Sequence, residues 1–257
     1  LGMIERFCQE TIAQVFLLRN CNSSFLSGRI DYKSVQTNIE ANFRSMIFIR
    51  DPVYELAERL RMFKAIFRTR SPIMNDRDLL FYKPAIDYFS ELDFRDKRML
   101  KAAFKNLPDN VANLLHSPIV RQLVSNNPVQ LAGDQHLSQA LDNLANFEIV
   151  GCSGFEEFYA KALCDLMANA EPGNEAFLTR SLARNEQTQQ VAEWLFEIKP
   201  ALKLLDLDTI LFHEVKYALK STLTEHNKKT IEASELVSAA PIVPDVDETG
   251  SGRDTIE

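Results

Sequence analysis

The stretch SMIFIRDPVYELAERL, residues 45–60, decides the expected fold. Its first part, MIFIR, is a compact apolar run closed by Asp51 and Pro52, which is typical of a buried strand that ends at a loop. Proline is well placed in the first turn of a helix, so the pattern predicts a long helix from Val53 to about Phe67. The segment therefore predicts a buried strand that passes directly into a helix.

A second apolar run, residues 147–150, is closed by Gly151 and lies between two amphipathic stretches. The stretch before it, 134–146, and the one after it, 155–170, both have apolar residues at helical spacing. We predict that the two runs are strands of one parallel sheet, with a further strand near residue 25 and helices on both faces. The expected fold class is α/β, with a short parallel sheet flanked by helices and a helix-rich chain.

The remainder of the chain indicates more helices and no internal repeat. A helical insertion is predicted near 76–125, with breaks at Pro84, Pro108 and Pro118. Further helices are expected at 3–19, 185–199 and 206–223. Residues 232–257 are rich in acid, Pro and Gly and poor in large apolar groups, so we predict a disordered acidic tail after a single domain at 1–231.

Composition excludes some classes of function. The formal net charge is -7 and the pI is about 5.3, which disfavours a protein whose task is to neutralise a nucleic-acid backbone. A row of basic residues nevertheless runs through the first long helix and its exit, and it indicates either a local basic patch or a solvated helix face. The row consists of Arg59, Arg61, Lys64, Arg68 and Arg70.

Cysteine usage and hydropathy indicate no metal and no membrane segment. The 4 cysteines form no C-x-x-C pair, and no histidine has the spacing that would complete a zinc site. No apolar run of about 18 residues is present. We therefore expect a cytoplasmic protein, or a lumenal one if an anchor precedes Leu1.

The order of several motifs resembles the carbohydrate sulfotransferase family, the PAPS-dependent group that includes heparan and chondroitin 2-O-sulfotransferases and bacterial relatives. The stretches that line up are FLSGRIDY at 25–32, SMIFIRDPVYELAERL at 45–60, NNPVQLAG at 126–133, FEIVGCSGFEEFYAKAL at 147–163 and LLDLDTILFHEVKYAL at 204–219. The resemblance implies a P-loop-type fold, PAPS as the sulfate donor, a polysaccharide or glycan acceptor, and a 3′-phosphate contact by Arg50.

The chain also departs from the family pattern. The family's Gly-rich P-loop has no counterpart upstream of Gly28, so the chain is expected to be N-terminally incomplete or degenerate. Where the family has a histidine base, this chain has Arg29, which cannot accept a proton near neutral pH. Glu55 and Glu58 replace the Arg and the Ser that help to bind the 3′-phosphate. We therefore expect weak PAPS binding and an inactive or truncated sulfotransferase-like domain.

Arg50 has two interpretations at this point. At the carboxyl end of a strand, beside a helix N-terminus, a guanidinium can anchor a phosphate. It can equally pair with Asp51 or with a nearby carboxylate. No residue is assigned a catalytic role. His213 is the least implausible base because Asp208 and Glu214 are near it in sequence. The alternative function is a helical protein–protein interaction module without nucleotide binding, which a sheetless helical structure would favour.

Overall fold

A computed structural model describes residues 32–33, 36–37, 44–69, 76–125, 130–166, 174–182 and 185–238. Several expectations lie outside this part of the chain and stay predictions. They are the helix at 3–19, the strand near 25 with Arg29, the end of the helix at Glu171, and the tail from residue 239 onward.

The described chain is mostly helical, with two short strands. The strands are β1 (Met46–Ile49) and β2 (Ile149–Cys152), and the helices are α1 (Pro52–Thr69), α2 (Asp76–Ser90), α3 (Lys97–Lys105), α4 (Asp109–Leu115), α5 (Pro118–Val124), α6 (Asp134–Leu144), α7 (Glu156–Leu166), α8 (Asn174–Leu182), α9 (Glu186–Phe196), α10 (Lys199–Lys203) and α11 (Asp206–Ser238). The helix-rich α/β class expected from the sequence is confirmed at this coarse level.

The two strands pair in parallel, with Met46 opposite Ile149 and Ile49 opposite Cys152. This confirms that both apolar runs are neighbouring strands. The second strand begins two residues later than expected, and Gly151 lies inside it instead of closing it. The reason is tertiary: a Cβ at Gly151 would lie 2.3 Å from Cδ2 of Tyr159, so glycine lets α7 pack directly on β2.

The region from 76 to 124 is helical, as predicted, but Pro84 does not break it. Pro84 lies within α2, where it removes the hydrogen bond that the Leu80 carbonyl would accept. Leu80 is largely exposed, so water can solvate that carbonyl. Pro108 and Pro118 do mark breaks, because Pro108 precedes α4 and Pro118 is the first residue of α5.

The helices between residues 76 and 115 pack into the main hydrophobic core. α1 lies at the centre of this core, where Leu56, Leu60 and Phe63 are fully buried. Leu100 of α3 and Leu195 of α9 belong to the same cluster of buried residues. Packing of these helices on α1 therefore holds β1 and its following loop in place.

The last helix is longer than expected. α11 continues to Ser238, whereas the sequence pattern predicted an end near residue 223 and a disordered tail from 232. The chain divides into two compact units, Leu1–Lys216 and Tyr217–Glu257, so the second part of α11 belongs to a unit of its own. Within the described residues, no helix is long and apolar enough to cross a membrane.

Candidate functional site at the carboxyl ends of the strands

The two strands end side by side, and the residues that follow them are tied together. The backbone N–H of Asp51 donates to Oγ of Ser153 at 3.1 Å, and the N–H of Ser153 donates to the carbonyl of Ile49 at 3.0 Å. In an open α/β sheet, this edge is where ligands bind. The loop after β1 and the turn after β2 therefore form the candidate site.

The N-terminus of α1 points at this edge and is capped by its own residue. One carboxylate oxygen of Asp51 accepts hydrogen bonds from the N–H groups of Val53 at 3.0 Å and of Tyr54 at 3.2 Å. These N–H groups are the ones that would hold a phosphate at a helix N-terminus. Here an internal carboxylate occupies them.

Arg50, the predicted phosphate anchor, is paired with a carboxylate of the same segment. Its guanidinium donates to the carboxylate of Glu58, eight residues further on and two turns into α1. Glu58 is at the position where the sulfotransferase resemblance predicts a serine. The side chains are 29% and 27% exposed, so the pair lies at the surface of the site and not in the core. Of the two interpretations, the geometry matches an Arg that pairs with a nearby carboxylate, and the phosphate-binding role stays a prediction.

In the turn after β2, another carboxylate of the chain accepts a hydrogen bond from the backbone. Gly154 has a φ of +97°, a left-handed conformation that favours glycine, and its N–H points at the carboxylate of Glu156. Both oxygens of Glu156 lie 3.0 Å from that nitrogen. The carboxylate of Glu156 therefore accepts a hydrogen bond from a backbone N–H group that a phosphate oxygen would use.

The groups at this edge offer little chemistry. Burial raises the pKa of the Cys152 thiol to about 11, so it stays protonated near neutral pH. Ser153 is buried and its hydroxyl oxygen accepts the Asp51 N–H bond. The described residues do not fit a bound PAPS phosphate, because Asp51, Glu58 and Glu156 already satisfy the donors that would hold it.

Glu55, the other position at which the chain departs from the pattern of the resemblance, pairs with Arg59. It is buried and accepts a hydrogen bond from Nε of Arg59 at 3.1 Å, one turn further along α1. Nη2 of Arg59 also donates to Oε1 of Gln122 at 3.3 Å, which joins α1 to α5. The pair is therefore part of the helix packing and not of the strand-end site.

The basic row of α1 does not form one face. Arg59 is buried, Arg61 donates to Oδ1 of Asn185 at 2.9 Å at the start of α9, and the ammonium of Lys64 donates to the carbonyl of Leu92. Arg68 is exposed, and Arg70 lies outside the described residues. The four described members of the row therefore form neither a continuous basic patch nor a single solvated face.

Asp208 is the ionisable group with the most unusual surroundings among the described residues, and the sequence pattern did not single it out by itself. It is fully buried, and its two oxygens accept from the N–H groups of Ile119 at 3.0 Å and Val120 at 2.8 Å. Asp208 thus caps α5 from α11. Ser117, which precedes α5, has a φ of 41° and forms no side-chain cap.

Burial raises the pKa of Asp208 to about 7, although the two N–H bonds and the nearby Arg59 and Arg121 oppose the shift. Arg121 is itself held in place, because its guanidinium donates to the carbonyls of Asn113 at 3.0 Å and Leu114 at 2.6 Å. The cluster is enclosed by α1, α4, α5 and α11. Asp208, Arg59 and Arg121 are all buried, so the cluster contributes to helix packing.

The histidines form no catalytic arrangement among the described residues. His213 is exposed on α11, whereas Asp208 on the same helix is buried, so the constellation suggested by the sequence is not formed. Nδ1 of His136 accepts from the N–H of Gly133 at 2.9 Å and helps to begin α6. Burial lowers the pKa of His116, which favours its neutral form. Within the described part of the chain, no three His, Cys, Asp or Glu residues could hold a metal ion.

Comparison with known protein families, curated proteins and solved structures gives no match.

Proposed function

We propose that the chain is a sulfotransferase-like α/β domain that has lost catalysis and whose strand ends are closed by its own carboxylates. The motif order resembles the carbohydrate sulfotransferases, and the parallel pairing of β1 with β2 agrees with that order. The observation that carries the loss of catalysis is the pairing of Arg50 with Glu58. A PAPS phosphate at this position would have to displace a carboxylate that the chain holds next to its guanidinium.

Charge supports the proposal. Asp51, Glu58 and Glu156 accept the hydrogen bonds that a phosphate would accept, and each would repel it. A general base is also lacking at the position where the family has histidine, since Arg29 stands there in the sequence. General-base catalysis contributes about 10²–10⁴-fold to such reactions, so its loss alone makes transfer slow.

The test is a calorimetric titration with adenosine 3′,5′-bisphosphate, the product that PAPS leaves after transfer. We expect no binding by the native chain up to about 1 mM. Glu58→Ser should free the guanidinium and tighten binding by about tenfold or more, because a charge-assisted hydrogen bond contributes about 1.5–3 kcal/mol.

Glu148→Ser is the matched control. Glu148 also pairs with an arginine, Arg44, but that pair lies at the opposite, amino end of the strands. This variant should leave the titration unchanged. Micromolar binding by the native chain that Arg50→Ala abolishes would contradict the closed-site proposal. Sulfate transfer to any member of a polysaccharide panel would contradict the loss of catalysis.

A second candidate function is a helical protein–protein interaction module. The observation that favours it is an open groove between α2 and α3, far in sequence from the strand ends. The parallel strand pair weighs against the sheetless form of this alternative. Binding through the helices does not require a nucleotide site, so both candidates can be tested on the same chain.

A further inference from the structure

Residues 130–136 lead into α6, and one histidine holds them against the start of that helix. Nδ1 of His136 accepts a hydrogen bond from the backbone N–H of Gly133 at 2.9 Å, and the N–H of His136 donates to the carbonyl of Gly133 at 2.8 Å. His136 is the third residue of α6, where many helices have Glu or Gln as the acceptor for the same N–H group. The imidazole therefore does the work of a capping side chain.

The direction of this hydrogen bond fixes the protonation of the ring. A backbone N–H can only donate, so Nδ1 of His136 is unprotonated and the neutral ring carries its proton on Nε2. Nε2 lies 3.1 Å from the side-chain amide of Gln130, whose other side lies 2.9 Å from Oγ of Ser125. The two ends of a glutamine amide exchange by a half turn, and the Nε2–H group requires the oxygen end. Hydrogen bonds thus run from Gly133 through the neutral ring to Ser125, which follows α5.

A second proton on His136 would break this arrangement at Nδ1. The charged ring has an N–H group at both nitrogens and accepts nothing, so Nδ1–H would face the N–H of Gly133. The charge would also lie in the first turn of α6, where the helix macrodipole is positive. Histidine changes charge between about pH 5 and 8, so the contact depends on pH in a range where that of a Glu or Gln would not.

Charged residues on α6 and α5 modify this effect. Asp134 is exposed and lies two positions before His136, and its carboxylate would attract the charged ring. Asp142, the other acid of α6, lies six residues after His136, on a different side of the helix. α5 packs on α6 and has one charged residue, Arg121, whose guanidinium donates to two backbone carbonyls of α4. No carboxylate of α5 therefore faces the ring.

Only the start of α6 depends on the contact with Gly133. Further along the helix, Ala140 and Leu144 are buried, and Nδ2 of Asn143 donates to the carbonyl of Leu123 in α5 at 2.8 Å. None of these contacts involves a group that titrates. The second half of α6 therefore stays packed on α5 when the first turn loses its acceptor, and the change is confined to residues 130–136.

We propose that His136 is a pH-sensitive latch: the neutral ring holds residues 130–136 against the start of α6, and the protonated ring releases them. The closed form is present while the ring is neutral and is lost as the pH falls and the ring takes up a proton. Residues 130–133 belong to the motif at 126–133 and supply none of the strand-end contacts described above. The proposal does not depend on the state of the strand-end site.

NMR of the full chain labelled with ¹⁵N tests the latch directly. At about pH 8 we expect a scalar coupling across the hydrogen bond between the backbone nitrogen of Gly133 and Nδ1 of His136. The coupling should weaken as the pH is lowered to about 6, which is still above the pI of about 5.3. Exchange of the Gly133 amide with water, corrected for its intrinsic pH dependence, should become faster. His213, exposed on α11, is the internal control, and its ring should titrate without a coupling to any backbone nitrogen.

Two variants separate the acceptor from the charge. His136→Gln keeps an acceptor for the Gly133 N–H but takes up no proton in this range, so the amide should stay equally protected at both pH values. His136→Lys removes the acceptor and places a permanent charge in the first turn. At about pH 8 it should speed exchange of the Gly133 amide by about fivefold or more relative to the native chain. Circular dichroism checks that both variants fold.

Three results would each overturn the proposal. They are the absence of the coupling at about pH 8, equal corrected exchange rates of the native Gly133 amide at both pH values, and a pH dependence that persists in His136→Gln. The bisphosphate titration is made at a single pH and does not involve His136, so the two proposals fail separately.

Discussion

Asp51 and Asp208 both accept hydrogen bonds at the N-terminus of a helix, but their surroundings differ. Asp51 caps α1 from the position next to it in sequence, while Asp208 caps α5 from another helix, 88 residues beyond Val120. Asp51 lies at the partly open end of the sheet, whereas Asp208 is fully buried between α1, α5 and α11. Asp51 therefore makes a local contact that is partly open to water, whereas Asp208 makes a long-range contact inside the core. Loss of the two carboxylates should lower the free energy of unfolding by different amounts.

The largest expected effect comes from Asp208→Ala. Its loss leaves the N–H groups of Ile119 and Val120 buried without the acceptor that Asp208 supplies. We expect the free energy of unfolding to fall by on the order of 3 kcal/mol. Chemical denaturation of the native chain and of the variant measures this change in the free energy of unfolding. Asp206→Ala, an exposed position in the first turn of the same helix, is the control and should change stability by less than about 0.5 kcal/mol.

Burial of Asp208 should also make the stability of the chain depend on pH. Burial raises the pKa of Asp208 from its ordinary 3.8 to about 7, so between these values the folded chain holds a proton that the unfolded chain has released. The stabilisation from this group is fully present below about pH 3.8 and is lost as the pH rises through about 7. The difference in unfolding free energy between the native chain and Asp208→Ala should therefore be larger at about pH 5 than at about pH 8.

Denaturation of both chains over this pH range provides the measurement. Because the other ionisable groups are common to both, they largely cancel in the difference. A difference that grows as the pH rises would show that the folded chain prefers the ionised carboxylate, and that Arg59 and Arg121 outweigh burial.

The same contrast explains which features were predictable from sequence. The strand at 46–49, the helix that begins at Pro52 and the parallel partner near 150 could be predicted, because each depends on a local run of apolar residues with its boundary signals. Arg50 was also placed correctly, at the end of β1. Its pairing with Glu58 was one of two interpretations that the sequence left open, since local spacing does not show which partner a side chain takes.

Features that depend on contacts between distant residues could not be predicted. The sequence pattern predicts that Gly151 ends β2, but the packing of Tyr159 against it places it inside the strand. The pattern also predicts a helix break at Pro84, yet Pro84 lies inside α2, next to a turn in which Leu80 is exposed. The sequence pattern marks Asp208 only as a neighbour of His213, because nothing near it in sequence shows that α5 lies beside it.

Replacing Asp51, the local cap of α1, should lower the free energy of unfolding less than replacing Asp208. Asp51→Ala removes the acceptor for the N–H groups of Val53 and Tyr54, but Asp51 itself is only partly buried, so this cap is less enclosed than the one at Asp208. Loss of an N-cap costs about 1 kcal/mol, so we expect a decrease of that size, about a third of the effect at Asp208. Denaturation under the conditions used for Asp208→Ala gives a direct comparison. Glu148→Ala is the control, because it breaks an exposed ion pair with Arg44 and should cost less than Asp51→Ala. Equal losses at Asp51 and Asp208 would show that burial does not set the cost of these two caps.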